Sequence, residues 1–510
     1  MPDTGQVTNI EVACSGGLVL DKISQAIPPG AATVLQNFEP SINGGYRRIN
    51  GFTKFDSTAL TGSGNVLGIA FLGTTVIACR GANVQHSAGS GWTTINTGRT
   101  GAGRYHFDVY DWSGTEKLIM ASGDAGTNYA ATWDGTSYVL LNGSVGSGTG
   151  TAPTNPLDVK EYKGHMFFLQ GQELTFSAPF NENKFDPSDG AGVINLSDTG
   201  VGMKSYRDIL YIFCNKAIYR LSGSSTGNFQ LIPVTKNIGC VSGWSIQEAG
   251  GDVIFLAPDG LRNVSGTEQI DNVNISVISK SIQERIKNLN STDYQVSSMV
   301  IRDKSQYRMW YIKSLETEER SKGILGVLKQ GQSGLQWEYS DIKGIKPSVS
   351  ASGYLGQTEY FLHGGWADGI VYRQEDGNDF DGSAIDARFR TPDYSFGDVG
   401  IRKMVRRAIL NMQFEGSVSP ELIMQYDYNG SNSVVQAEAI SIPTPSWLGI
   451  YGVGVYGGAT YTTTTFPIAS IRNWVIGSGF LVAFNLNEND TNLPFTIQGF
   501  QIEVVPGGRR

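Results

Sequence analysis

Histidine and cysteine are scarce in this chain, with four of each among 510 residues. His86, His106, His165 and His363 are scattered, and none pairs with another histidine or a cysteine at metal-ligand spacing. A Walker motif is absent too, so neither a metal nor a cofactor is expected. Cys14, Cys79, Cys214 and Cys240 form no CxxC pair and are too sparse for a disulfide scaffold, which leaves reduced, partly buried thiols. The chain has no run of five or more like charges and a net charge of -8, a balance that argues against gripping nucleic acid over the whole surface. No apolar run approaches the ~20 residues that cross a bilayer. Met1 to Gly16 lacks the basic and apolar regions of a secretory signal, so synthesis in the cytosol is expected.

Glycine, by contrast, is abundant at 65 residues, nearly twice its usual share of ~7%. It sits beside Asn, Asp and Ser and follows no collagen period, the signature of many tight turns between short strands. Those turns punctuate a repeat. Asp208 to Phe213 is an apolar strand followed by the turn Cys214-Asn215-Lys216 and a second strand, Ala217 to Leu221. The pattern recurs 44 positions later at Asp252 to Leu256 and 44 positions earlier at Gly164 to Leu169. Looser copies begin near 74, 116, 306 and 358, giving intervals of 42, 48, 44, 44, 54 and 52 residues.

A lone sheet of this kind cannot bury both its faces, whereas radial stacking buries them and ring closure protects the ends. The expected fold is therefore all-β: a six- or seven-bladed β-propeller over residues 56–377. A parallel β-helix would use shorter coils, and an open sandwich array would lack the ~45-residue register. Aromatic turns such as Trp133-Asp134-Gly135 and Trp366-Ala367-Asp368-Gly369 suit blade hairpins. One helix is expected at 277–289, where Val277, Ile278, Ile282, Ile286 and Leu289 share a face on the propeller rim. Residues 1–55 read as an N-terminal docking arm with a hairpin. Residues 378–510 read as a β-sandwich-like domain, with strands at 385–390, 408–414, 422–428 and 495–505. Inside it, the uncharged loop 446–465 carries Trp447, Tyr451, Tyr456 and Tyr461 among glycines. Such a segment is either an exposed flexible loop or a contact or gate against a neighbouring subunit.

Signals for catalysis are weak. Gly223 to Gly227 spells G-x-S-x-G, but a strand rather than a helix follows it, so a hairpin turn is the better reading. Gly452, Gly454 and Gly457 spell G-x-G-x-x-G with no helix after them. Ser122 to Tyr129 resembles one imperfect copy of the Asp-box of sialidase-type propellers, itself a turn device. Asp376, Asn378, Asp379 and Asp381 could offer oxygens to a calcium ion, yet lack a closing bidentate glutamate, and a solvated loop is expected there.

The order of several N-terminal motifs is more specific. Ser15-Gly16-Gly17-Leu18, Ala26 to Ala32 with its Pro-Pro-Gly, Leu35 to Glu39, and Gly44 to Phe52 follow one another closely. Ile238 to Ser242 then leads to Asp252 to Leu261, and Phe389-Arg390-Thr391-Pro392 precedes Arg402-Lys403. This succession resembles the tail hub, or nozzle, proteins of short-tailed bacteriophages. The resemblance implies a non-enzymatic virion protein of the tail, made in the host cytoplasm. It implies a homohexameric tube below the portal and adaptor, bordered by tail fibre or tail-tip proteins, through which double-stranded DNA passes without specific binding. Arg47 and Arg48 are then candidate assembly contacts toward acidic partners, and Trp447, Tyr451 and Tyr456 candidate loop contacts or gate residues. The alternative is a carbohydrate-binding or sialidase-like, glycan-cleaving propeller, which would place an arginine and carboxylates in an axial pocket.

Overall fold

A computed structural model describes residues 8–101, 103–124, 128–143, 150–265, 277–290, 292–313, 321–331, 334–429, 438–445 and 468–509. The seven repeat units are the second strands of seven sheets, Thr75–Arg80, Lys117–Ala121, His165–Gln170, Ile209–Cys214, Asp252–Ala257, Gln306–Ile312 and Thr358–Gly364. Each sheet is a meander of antiparallel strands. Five supply four strands from within residues 66–96, 106–140, 158–195, 200–235 and 295–342, the last as part of a larger sheet; the three strands within 349–374 are joined by a fourth at 52–54; and one sheet, within 247–263, has three strands.

The ring follows from the layers between sheets. Leu118 and Met120 of the second blade pack with Ile77 and Cys79 of the first. Leu210 and Ile212 of the fourth pack with Phe167 and Leu169 of the third. Val349 and Leu362 of the last blade pack back on Val66 and Val76 of the first, which closes the circle. The second strands lie between two neighbours, so both faces are buried and they read as continuous apolar runs rather than alternating ones. The described structure is thus a β-propeller of six full blades and a narrower seventh sheet, with further sheets beside it.

The helix expected at 277–289 is much shorter. Val277 instead bridges Arg262 at the edge of the three-stranded sheet, where a fourth strand would run. A 3₁₀ turn at Lys280–Ile282 and a single α-turn at Gln283–Ile286 follow, and Asn288 takes a left-handed φ of 61° that ends the helix. Ile282, Ile286 and Leu289 are nonetheless buried, as the apolar face requires.

Residues 385–509 form most of a two-layer sandwich. In one layer Ile401–Phe414 pairs with Phe495–Arg509 and Ile468–Trp474; in the other Val482–Asp490 lies between Ile385–Arg390 and Glu421–Tyr426. Phe389 and Phe484 of one layer meet Tyr46 and Phe500 of the other, with the Phe484 and Phe500 rings edge-on at 4.7 Å.

The first 55 residues are built into both bodies. β1 (Thr8–Ala13) pairs with Phe495–Arg509. β2 (Val34–Gln36) lies parallel to the outer strand of the sixth blade through Gln36 and Asp341, and antiparallel to Ile385–Arg390. One nine-stranded sheet therefore runs from the propeller into the sandwich. β3 (Phe38–Pro40) and β4 (Tyr46–Arg48) form a hairpin on the other sandwich layer. β5 (Phe52–Lys54) is the fourth strand of the last blade, paired with Val371–Gln374. Gly51 makes this crossing possible, because a Cβ there would lie 1.8 Å from the Asp379 carbonyl oxygen.

Candidate functional site

The hairpin of β3 and β4 carries Arg47 and Arg48, and its placement corrects their expected role. Arg48 is fully buried, with side-chain exposure of 0%. Its guanidinium donates to the carbonyl oxygens of Asn492, Asn378 and Asp490 and lies 3.2 Å from the Glu488 carboxylate. A side chain so enclosed ties the sandwich to the propeller and cannot reach a partner. Arg47 is also committed inside the chain, to Glu415 at 2.5 Å and Glu39 at 3.1 Å.

Glu39 opens a larger ion cluster at the seam. Lys304 of the sixth blade donates to Glu39 at 2.9 Å and to Glu375 of the last blade at 2.5 Å. Arg308 lies against both carboxylates and donates to Glu375, to Gln374 at 3.0 Å and to Gln306. Arg47, Lys304 and Arg308 thus face Glu39, Glu375 and Glu415, a charge-balanced group joining arm, two blades and sandwich. Burial alone would raise the Glu375 carboxyl, but Arg308 and Lys304 hold it well below the usual carboxylate range.

Glu488 behaves in the opposite sense. Burial outweighs its neighbour Arg48 and raises its carboxyl to about 7. A carboxyl raised on folding contributes stability that is complete below about pH 4.5 and is lost as pH rises through about 7. Glu488→Gln should therefore stabilise the protein by roughly 1–3 kcal/mol at about pH 8 and change little at about pH 5. Urea titrations at the two pH values read this difference, and equal effects at both would contradict it.

The axis presents a second constellation. The first strands of neighbouring blades pack against one another around the ring, and Arg104 and His106 at the start of the second blade reach Trp244, in the 3₁₀ turn Gly243–Ser245 before the three-stranded sheet. The Arg104 guanidinium lies 4.1 Å over the Trp244 ring, and the His106 ring is 4.6 Å from it. Asp158 stands 3.6 Å from His106 and accepts from the Val159 and Met203 amides. Beside Arg104 opens a cavity of about 300 Å³, lined also by Trp244, Asp293, Tyr294, Gln295 and Trp366. Sequence reasoning missed Arg104, which precedes its strand without any motif.

The other residues singled out in the sequence take the following places. All four cysteines are free and buried. His165 and His363 are buried, His165 hydrogen-bonded to the Ser177 carbonyl and His363 to Gln374. The G-x-S-x-G match is a hairpin in which Asn228 accepts from the Ser224 and Ser225 amides. Asp376 accepts from Thr53, Asp379 from the Gly382 amide, and Asp381 pairs with Lys54. Among the described residues no cluster of three or more His, Cys, Asp or Glu side chains is arranged to hold a metal. Ser122 and Asn128 of the Asp-box-like segment bond each other between two blade strands. The candidate loop with Trp447, Tyr451 and Tyr456, and the glycines at 452, 454 and 457, lie outside the described residues.

No protein-family model matches the sequence, and no curated protein matches it. Solved structures with similar backbones include an ancestral GH74 enzyme, at 12% identity and a TM-score of 0.39, covering 66% of this chain and 50% of that one. Others are the AfRom2 CNH domain, at 7% identity and a TM-score of 0.36 over 64% of this chain and all of that one, and the RRP9 WD40 repeats, at 9% and 0.34 over 63% and 99%. The chain thus spans about half the length of the GH74 enzyme.

One surface stands out on the sandwich. Ile468–Trp474 is the edge strand of its layer, with Ile401–Phe414 on one side and no second neighbour among the described residues. Trp474 is 71% exposed and Ile476 75%, and Ile468 and Met404 are exposed as well.

Proposed function

We propose that this protein is a wall subunit of the nozzle of a short phage tail, a non-enzymatic structural component that assembles with copies of itself. The observation that carries the reading is the nine-stranded sheet running unbroken from a propeller blade through β2 into the sandwich. Together with the seam of buried ion pairs, it joins two bodies into one stiff unit, as a tube wall under load requires. Domains that merely tether a binding module are commonly joined by exposed linkers and smaller, more polar interfaces. The motif order of residues 15–52 supports the same reading.

The edge at Ile468–Trp474, which has no second neighbour among the described residues, supplies a surface for a neighbouring copy, since exposed strand edges and apolar patches favour association. Replacing Trp474 and Ile476 together by Asp should leave the melting temperature within about 1–2 °C and abolish ring formation. Co-expression with a portal and adaptor of a short-tailed phage, followed by electron cryomicroscopy, tests the reading directly. A six-fold ring of this chain below the adaptor is expected. Failure to join any portal-adaptor assembly, or a six-fold lumen that is strongly basic, would overturn it.

The glycan-binding alternative is favoured by one observation, the axial cavity with Arg104 and aromatic walls. Among the described residues Asp293 is the one carboxylate that lines it, short of the two that glycoside hydrolysis normally uses.

A further inference from the structure

The axial cavity holds a cation without a counter-charge among the described residues. Two guanidinium nitrogens of Arg104, Nε and Nη2, are enclosed and have no hydrogen-bond partner among those residues. The indole Nε1 of Trp244 beneath it is likewise enclosed and unpartnered, and so is Nε2 of His106. Arg104 and His106 both lie against the Trp244 ring, so the four atoms are close together, and three of the four can only donate. The nearby carboxylates are engaged elsewhere: Asp158 with backbone amides and His106, and Asp293 with the side chain of Asn290. Burial without compensation pushes the Arg104 guanidinium down to about 9.

An uncompensated buried cation is costly, and donors left unmade in a closed site are rare in native structures. An arginine in such a place costs stability unless something arrives to accept its hydrogen bonds. The cavity beside it, at about 300 Å³, is at the lower bound of small-molecule pockets. Its walls are half-buried aromatics, Trp244, Tyr294 and Trp366, and Lys346 lies 4.6 Å over the Trp366 ring and adds a second positive charge.

We propose that the propeller axis is a binding site for a compact oxyanion, a carboxylate or phosphate group on a small polar molecule, received by Arg104 and the Trp244 indole N–H. The site is independent of the nozzle reading, because it uses neither the sandwich edge nor assembly. Carboxylate and phosphate share the chemistry that Arg104 recognises, two acceptor oxygens in one plane.

The test uses the intact protein in chloride-poor buffer, with inorganic phosphate, glucuronate and neutral glucose as probes. Tryptophan fluorescence and calorimetry should show saturable binding of phosphate, glucuronate or both, and none of glucose. Binding of phosphate alone, or of glucuronate alone, would identify which oxyanion the cavity accepts. Arg104→Met should weaken that binding by about tenfold to a hundredfold, the loss of a charge-assisted hydrogen bond. Arg104→Met should also raise the melting temperature without ligand, because a buried unpaired charge is replaced by an apolar chain of similar length. Arg104→Lys should retain part of the binding. No saturable anion binding by the wild-type protein would overturn the proposal, and so would an Arg104→Met variant that binds normally or melts lower than wild type.

Discussion

A chain lacking residues 1–54 is expected not to fold, even though it keeps nearly every strand of the propeller. The deletion removes β5, so the last blade keeps three strands and its outer edge is bare. It also removes β2 from the middle of the nine-stranded sheet and β1, β3 and β4 from the sandwich. Leu18, Leu35, Phe38, Tyr46 and Ile49 are all at most 1% exposed. At ~1.5–3 kcal/mol for each fully buried side chain, these five alone contribute about 8–15 kcal/mol. That matches the whole net stability of a typical protein, ~5–15 kcal/mol. The tyrosine adds polar ties, since its hydroxyl donates to the Gly30 carbonyl at 2.8 Å and accepts from the Gly17 amide. Expression of the truncated chain should yield aggregate or a species without a cooperative thermal transition. Supplying residues 1–54 as a separate chain should recover soluble protein. A soluble truncation that melts cooperatively near the wild-type temperature would show that the arm is an accessory.

The second large effect is expected at Glu375. Changing it to Gln removes the charge that faces both Arg308 and Lys304 and leaves two cations to share Glu39. Breaking a buried pair from one side costs about 3–5 kcal/mol, because the remaining charge is left uncompensated. Removing both partners in Arg308→Met with Glu375→Leu should restore most of that loss, because Lys304, Arg47, Glu39 and Glu415 remain in balance. The direction with pH follows from the depressed carboxyl. Its contribution is present above the unfolded value of about 4.5 and is lost as pH falls toward the lower folded value. Acid titration of the wild type should therefore show stability falling below about pH 4.5, with a shallower fall in Glu375→Gln. Denaturant unfolding of the three proteins at neutral pH, and of the first two in acid, decides the matter. Equal loss in the single and double variants would mean that shape rather than charge governs the seam.

The repeat is legible because the second strand of most blades is buried on both faces and carries an apolar run, as at Asp252–Ala257, although Gln306–Ile312 also holds the buried Arg308. Blade number was harder to read, because closure depends on β5, three residues long with no apolar alternation of its own. The short turns at 280–286 were overread as one long helix: the apolar spacing is real, but Val277 is drawn into the sheet edge at Arg262. Arg47 and Arg48 looked like exposed hairpin residues because their partners, Glu415 and Glu488, lie hundreds of positions away. Arg104 left no trace in the sequence, since an orphaned donor is defined by what three-dimensional packing withholds from it.

The pairing of β1 with Phe495–Arg509, and of β5 with Val371–Gln374, also bears on how the protein is made. β1 must wait for a partner strand about 490 residues further along the chain, and at ~5–20 residues per second that interval is about 25–100 s. Until then β1 has no strand to join, whereas Phe52 of β5 waits only for Val371–Gln374. The blades from 66 to 235 can form in succession as they appear, but the ring cannot close until residue 374 is made. A propeller whose clasp is made long before the strands it fastens to depends on that segment staying unpaired, and slowed translation of the 495–509 strand would lengthen its most vulnerable period.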